Sequence, residues 1–303
     1  MNIATVPYHG WKHNTRLSNE EVELIITQDV GPRILRFGFI GEENIFGEIQ
    51  AQSGGSNEKE WMIRGGHRLW IAPEEKPKSY ELDNSPVDIE ETENGIKTIQ
   101  PVGPLTGVQK SMQISLADQA NEVIVLHRLT NMNKTPVELA PWALTVMGLQ
   151  GMAIIPLPGK IPHTDRLTHN QGWSLWGYTD LSDPRWTIGS KYLFFRQDPE
   201  RGPNKLGIAH SEGWAAYLRN STLFIKRFKR IDNAVYPDGG VNFETFSNQE
   251  ILEMESIGPL VTLAPGKSAV HQEIWSLHRN IPECQSESDV DDVIVPLVSL
   301  DKP

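Results

Sequence analysis

Two carboxylates two positions apart, Glu253 and Glu255, are the chain's most suggestive pair for proton or hydroxyl chemistry. They lie in ILEMES (251–256), where an extended backbone turns alternate side chains to opposite faces. Ile251, Glu253 and Glu255 then share one face, and Leu252, Met254 and Ser256 the other. Side chains two apart on a strand stand roughly 6–7 Å apart, so the pair can frame a ligand without sharing a proton. Asn242 and Glu244 share a face of the preceding run and could look into the same cleft. The competing reading is an edge strand that carries charge to discourage aggregation. A second dense stretch, residues 61–75, holds two Trp, two Arg, one His and two Glu around Gly65-Gly66. The glycine pair permits a positive-φ turn and close backbone approach. Arg64 and Arg68 offer planar forks for carboxylate, phosphate or vicinal hydroxyls. Trp70 could stack on the apolar face of a sugar ring, and Glu74 and Trp142 extend the set of candidate contacts. The plainer alternatives are an Arg–acid ion pair, core tryptophans and a structural His67.

Strands must position these groups. The late carboxylates fall in three strand-like runs, 241–246, 249–255 and 269–277, separated by Asn/Gln and Pro-Gly turn signals. Earlier runs at 21–27 and 34–39 flank Asp29-Val30-Gly31-Pro32 and predict a hairpin. Further strands are expected at 97–101, 108–115, 122–130, 137–147, 192–196, 207–210, 214–219 and 223–228. The 122–130 run is nearly all apolar, which suits a strand buried on both faces, with His127 as a hydrogen-bonded structural residue. Residues 156–162 read as a rigid proline-rich loop over the cleft, and 52–57 as a mobile polar loop. Residues 172–186 carry three Trp with Tyr178, Asp180, Asp183 and Arg185, around an Asp183-Pro184 bend. The basic run 226–230 suits an anion site or a solvated strand end. A short C-terminal helix, capped by Ser288 and with Pro296 near its end, is expected on the outside of a sheet. Strands recur at short spacing without alternating helices, so the expected fold is all-β: one large antiparallel β-sandwich domain over 1–303.

Composition narrows the partners. A net charge of −11 argues against nucleic acid or an anionic membrane as partner. The single cysteine, Cys284, excludes an internal disulfide framework and a Cys-based zinc site. No apolar run reaches membrane-span length and the first ten residues lack a signal core, so a cytoplasmic chain is expected. Phosphate-binding, dinucleotide, nucleophile-elbow and zinc-protease motifs are missing, and no acidic spacing is diagnostic of a metal, so no cofactor or metal is expected. Oligomeric state is not readable.

The order of parts late in the chain adds a resemblance. A strand ending in Glu255, a short apolar link, Leu263-Ala264-Pro265-Gly266 and a last strand resemble the C-terminal end of galactose mutarotase-like proteins. These include aldose 1-epimerases and hexose-6-phosphate epimerases. Ile63-Arg64-Gly65-Gly66 resembles the R-G-G turn of the sugar-phosphate epimerase branch. GPRILRFGF (31–39), GGHRLWIAPE (65–74), PWALTVM (141–147) and YTDLSDPRW (178–186) together look closest to a DUF4380-like branch. The resemblance implies a mutarotase sandwich, Glu255 as catalytic base, Arg64 as substrate ligand, and a substrate-binding Asp at Asp180 or Asp183. It also implies a general-acid His on the 137–147 strand. There this chain reads Pro141-Trp142-Ala143-Leu144, with no His between His127 and His163.

Two functions of different class follow. The first is an aldose epimerase or mutarotase, which needs a base for the anomeric hydroxyl and an acid for the ring oxygen. Glu255 is then the base, His67 the first substitute acid and His210 the second. Arg64, Arg68, Trp70 and Glu253 hold the sugar, and Arg64, His67, Trp70 and Glu255 are expected to converge on one pocket. The second is a carbohydrate-binding protein without proton transfer on the same sandwich, which the missing His favours.

Overall fold

The computed structural model describes residues 1–300, so the last three residues of the expected 1–303 domain lie outside it. Two large sheets, entirely antiparallel in their pairing, face one another. The 11-stranded sheet begins with the meander Asn2–Tyr8, Trp11–Ser18, Val22–Thr27, Arg33–Phe39 and His67–Ala72. It continues through Val137–Met147, Leu252–Ile257, Phe243–Ser247, Asn204–Ile208 and Trp173–Leu175. Val261–Leu263 pairs with the start of Val137–Met147. The 10-stranded sheet centres on Thr222–Phe228, Ser268–His278 and Glu122–Asn131.

Period-2 alternation explains both faces of the first sheet. Leu69, Met147, Leu206, Phe243, Leu252 and Met254 enter the inter-sheet core. There Phe37, Phe46, Phe224 and Trp275 interlock, with Phe46 edge-on to Trp275 at 5.5 Å. The intervening residues of the same strands face outward. Among them Trp70, Ala140, Trp142, Leu144 and Ile257 form a second apolar cluster.

Several expectations are corrected. The strand expected at 207–210 runs Asn204–Ile208, which adds Lys205 to the sheet. Glu122–Asn131 is not buried on both faces: Val123, Val125 and Leu129 face the core while Ile124 is exposed. Lys226 is not a solvated strand end, because its ammonium is fully buried against Glu273. The 156–162 loop does not cover the Glu255 cleft; Pro156–Lys160 border a separate depression with Lys191 and Trp214. The 52–57 loop is packed: Trp11 donates to the Gly55 carbonyl and Arg64 to that of Gln52. The C-terminal helix starts earlier than expected. Ser286 caps it, with Asp289 reaching back in a capping box, and the helix continues through a π turn to Leu300. As expected, this segment covers the outer face of the 10-stranded sheet, burying Cys284, Val290 and Ile294 against Met152, Phe194 and Ile225.

Candidate functional site

Strand register sets a row of side chains across the outer face of the 11-stranded sheet. Arg68 stands opposite Leu144, Leu144 opposite Glu255, Glu255 opposite Glu244, and Glu244 opposite Gly207. In the next row Trp70 and Ile257 flank Trp142. Gly207 is required here, since a Cβ would stand 2.9 Å from Val241 and 3.2 Å from the Trp176 ring. Its absence lets Trp176 settle beside Glu244.

Lys205, opposite Phe246 two residues before Gly207, reaches back into this row. Its Nζ lies 2.6 Å from Glu244 Oε2 and 3.1 Å from Glu255 Oε2. The same ammonium sits 4.8 Å from the Trp142 ring and 4.7 Å from the Trp176 ring. Glu255 Oε2 also accepts from Trp142 Nε1 at 3.1 Å. Nearby, Arg68 Nη2 lies 2.8 Å from Glu253 Oε1, and its guanidinium lies 5.2 Å from the Trp61 ring and 4.8 Å from the Trp70 ring. The Lys205–Glu244 and Arg68–Glu253 contacts are held by charge rather than by well-angled hydrogen bonds. Among the described residues, Glu255 Oε1, Glu244 Oε1, and Arg68 Nε and Nη1 are buried without a hydrogen-bond partner. Buried polar groups are normally satisfied, so these atoms remain open to a partner from outside the chain.

Burial and charge tune the cluster. Burial pushes Glu244 up to about 8 despite Lys205, with Glu255 and Asp238 adding to the rise. Glu255 is also raised by burial, against the pull of Lys205 and with Glu253 reinforcing it. Burial opposes the charge on Lys205, yet Glu255 and Glu244 hold its pKa above the usual lysine value. Lys205 is therefore a permanent internal cation and a poor nucleophile. Of the two carboxyls, Glu255 has the Trp142 donor and Arg68 nearby, so it is the better placed to carry the negative charge.

Above this floor lies a cleft of about 270 Å³, walled by Trp61, Trp70, Tyr80, Trp142, Tyr178 and Phe246. That lies at the small end for ligand pockets and suits one sugar ring rather than a chain. A larger depression, about 750 Å³, opens between Ser18–Glu21 and Asp118–Asn121, but it has no buried ionisable group.

The expected site residues divide cleanly. Arg68, Trp70, Glu74, Trp142, Glu253 and Glu255 line the cleft, and Glu244 stands beside them on Lys205. The expected convergence of Arg64 and His67 with Trp70 and Glu255 is not found. Arg64 lies in a positive-φ turn, pairs with Glu58 at 2.6 Å and lies over Trp11. It is held there by the glycine pair: a Cβ on Gly65 would stand 2.1 Å from the Gly47 carbonyl oxygen. His67 points the other way, into the inter-sheet core, because its neighbours Arg68 and Trp70 take the outer face. His210 is buried beside Phe228 and Phe243, its backbone N–H donating to Asn242 and its Nδ1 accepting from the Gly213 N–H. Asn242 serves that turn and Arg230, not the cleft. Asp180 accepts from Ser182, and Asp183 pairs with Arg185 at 2.8 Å; neither lines the cleft. Their segment contributes Trp176 and Tyr178 instead. Sequence reasoning missed Lys205, Trp176 and the lining role of Phe246. Alternation in NKLGI would have placed Lys205 opposite Leu206, but only the long-range pairing brings it to the carboxylates.

Behind the site, His67 joins a polar network buried between the sheets. His67 Nε2 lies 2.7 Å from His127 Nε2, and its Nδ1 2.8 Å from Thr145 Oγ1. Lys226 donates to Thr145, to the Met254 carbonyl and to Glu273. Ser256 donates to Glu273 and meets His271 at 2.6 Å. His67, His127 and Glu273 present three ligand atoms within 4.8 Å, a spacing a metal could use. One tautomer set closes the network without an ion: His127 Nδ1 donates to the His271 carbonyl, His67 Nε2 donates to His127, and Thr145 donates to His67. The network is saturated, and Lys226 supplies its positive charge. His127 is the structural histidine expected.

No family model and no curated protein sequence matches the chain. Solved structures do. A galactose mutarotase-like protein from Lactobacillus casei superposes with a TM-score of 0.61 at 11% identity, covering 88% of this chain and 100% of that one. One from Clostridium acetobutylicum gives 0.56 at 8% identity, over 92% and 99%. A galactose mutarotase related enzyme from Lactobacillus acidophilus gives 0.53 at 10% identity, over 90% and 100%. The fold is thus that of the galactose mutarotase-like sandwiches, as expected.

Proposed function

We propose that the protein interconverts the anomers of an aldose or aldose derivative by general acid–base catalysis in the Glu255 cleft. The observation that supports this most is the buried Glu255–Lys205–Glu244 cluster at the foot of an aromatic-walled cleft of single-sugar size. Glu255 takes the proton of the anomeric hydroxyl. The ring oxygen must be protonated as the ring C–O bond breaks, and the histidine expected for this is missing from the cleft. Glu244, which burial keeps protonated near neutral pH, takes that role in its place, with Lys205 stabilising the charge as it moves between the two carboxyls. The ring opens, the aldehyde carbon rotates, and closure returns both protons. Arg68 and Glu253 orient the sugar's hydroxyls and Trp70 lies against its apolar face. The superfamily-level reading agrees with the fold; membership of the DUF4380-like branch rests on the sequence motifs alone.

The test is polarimetry and proton-exchange NMR on a panel of aldoses. Faster anomer exchange that disappears in Glu255→Gln, while ligand binding persists, supports the reading. Binding with no acceleration for any sugar selects the second reading, a carbohydrate-binding protein, which the absent strand histidine favours. An active Glu255→Gln variant means another group is the base.

A further inference from the structure

The charge balance of the cleft says which sugar it favours, if it is a sugar site as proposed above. Inside, the carboxylates Glu253 and Glu255 balance the cations Arg68 and Lys205, and burial keeps the neighbouring Glu244 protonated, so no spare cation awaits an anionic ligand. Two more carboxylates belong to the surroundings, one in the cleft lining and one interacting with Glu244. Glu74 lines the cleft and accepts from the Tyr80 hydroxyl at 2.5 Å. Asp238 lies in the positive-φ turn before Gly239-Gly240 and within electrostatic reach of Glu74, Glu244 and Lys205. Burial holds Asp238 above the usual carboxylate range and Glu74 adds to this, against the pull of Lys205 and of a hydrogen bond with Glu244. Neither Glu74 nor Asp238 has an ion pair among the described residues. Lys76 is exposed and lies over the Tyr80 ring at 5.1 Å, so the set as a whole remains acidic.

An acidic surface alone would say little, but two independent features point to a ligand. Glu255 Oε1 is a buried acceptor without a partner among the described residues, which calls for a donor. The walls are aromatic, with Tyr80 and Tyr178 among them, and ring faces attract cations. A phosphate finds the opposite conditions. Arg64, the residue resembling the phosphate-branch arginine, is turned away and bound to Glu58.

We propose that the preferred ligand is an amino sugar in its protonated form. Its ammonium is held beside the aromatic walls by Glu74 and Asp238, and its hydroxyls are read by Glu255, Glu244 and Arg68.

Ligand-observed NMR titration of the full chain would test this with D-glucosamine, D-glucose, N-acetyl-D-glucosamine and D-glucose 6-phosphate, and with the matching galacto series. The amino sugar should bind about tenfold tighter than its parent aldose, the order that one charge-assisted hydrogen bond supplies. N-acetylation, which removes the charge, should abolish the advantage, and the phosphate should bind weakest. Glu74→Gln combined with Asp238→Asn should bring amino sugar and parent aldose to the same affinity, the amino sugar losing about tenfold more than the parent. Equal or weaker binding of the amino sugar, or tightest binding of the phosphate, overturns the proposal. Catalysed exchange of a neutral aldose in that case leaves the epimerase reading standing, so the two failures are distinguishable.

Discussion

Replacing Lys205 by Met keeps an unbranched stem against Trp142 and Trp176 but removes the cation shared by Glu244 and Glu255. In the wild-type protein Lys205 is held above its usual pKa, so its contribution to stability is fully present below the unfolded lysine value of 10.5. It is therefore constant across pH 5–8. Without it, Glu255 loses the ion pair that opposes its burial and is raised further above the 4.5 of the unfolded chain, in the same direction as Glu244. The unfolded state then binds fewer protons than the folded one, and stability falls as pH rises, by about 1.4 kcal/mol per pH unit for each such group. The wild-type protein already bears this slope for Glu244. The added loss in Lys205→Met should grow with pH through the further rise of Glu255, by at most about 1.4 kcal/mol per pH unit. Urea unfolding of both proteins at pH 5, 6.5 and 8 measures it directly. A variant no less stable at pH 8 than at pH 5, relative to wild type, would refute the shared-cation account of the cluster.

Further outcomes follow from the same geometry. Glu253→Gln should weaken sugar binding through Arg68, whereas Glu255→Gln should remove catalysed exchange and leave binding; comparison of the two affinities and rates checks the division of roles. His67→Asn should leave the exchange rate per folded molecule unchanged while lowering stability by about 1–3 kcal/mol, because His127 and Thr145 lose a buried partner; a lost rate at unchanged stability would place His67 in catalysis after all. Burial holds His210 and His271 at about 3, below the ordinary 6.5. The unfolded chain takes up those protons first, so stability is lost as pH falls below 6.5, about 2 kcal/mol per histidine by pH 5. A Glu244→Gln background removes the opposing carboxyl, and an unchanged urea midpoint between pH 7 and pH 5 there would refute the two burial assignments.

The late strands were legible because alternation is a local property. ILEMES placed Glu253 and Glu255 on one face and Leu252 and Met254 on the other, as found. The same rule applied to HRLWIA separates His67 from Arg68 and Trp70, and it should have removed His67 from the pocket. Its placement there followed instead from the search for a substitute acid. Arg64 precedes the strand in a positive-φ turn, where alternation says nothing about direction. Lys205 could not be assigned from its neighbours, because its meaning comes from strands Phe243–Ser247 and Leu252–Ile257, some forty to fifty positions away. Asp180 and Asp183 had local partners, Ser182 and Arg185, that a motif comparison does not weigh.

The segment laid over the 10-stranded sheet gives the molecule a reporter of its own. Cys284, the only thiol in the sequence, is buried there with Val290 and Ile294, and burial raises its pKa. A thiol reagent can react with it only when this segment lifts from the sheet or the whole chain unfolds. With an excess of reagent, the labelling rate in the native protein reads how often that face is uncovered. Comparing it with the rate of global unfolding would show whether the C-terminal segment opens alone, with no cysteine introduced by mutation.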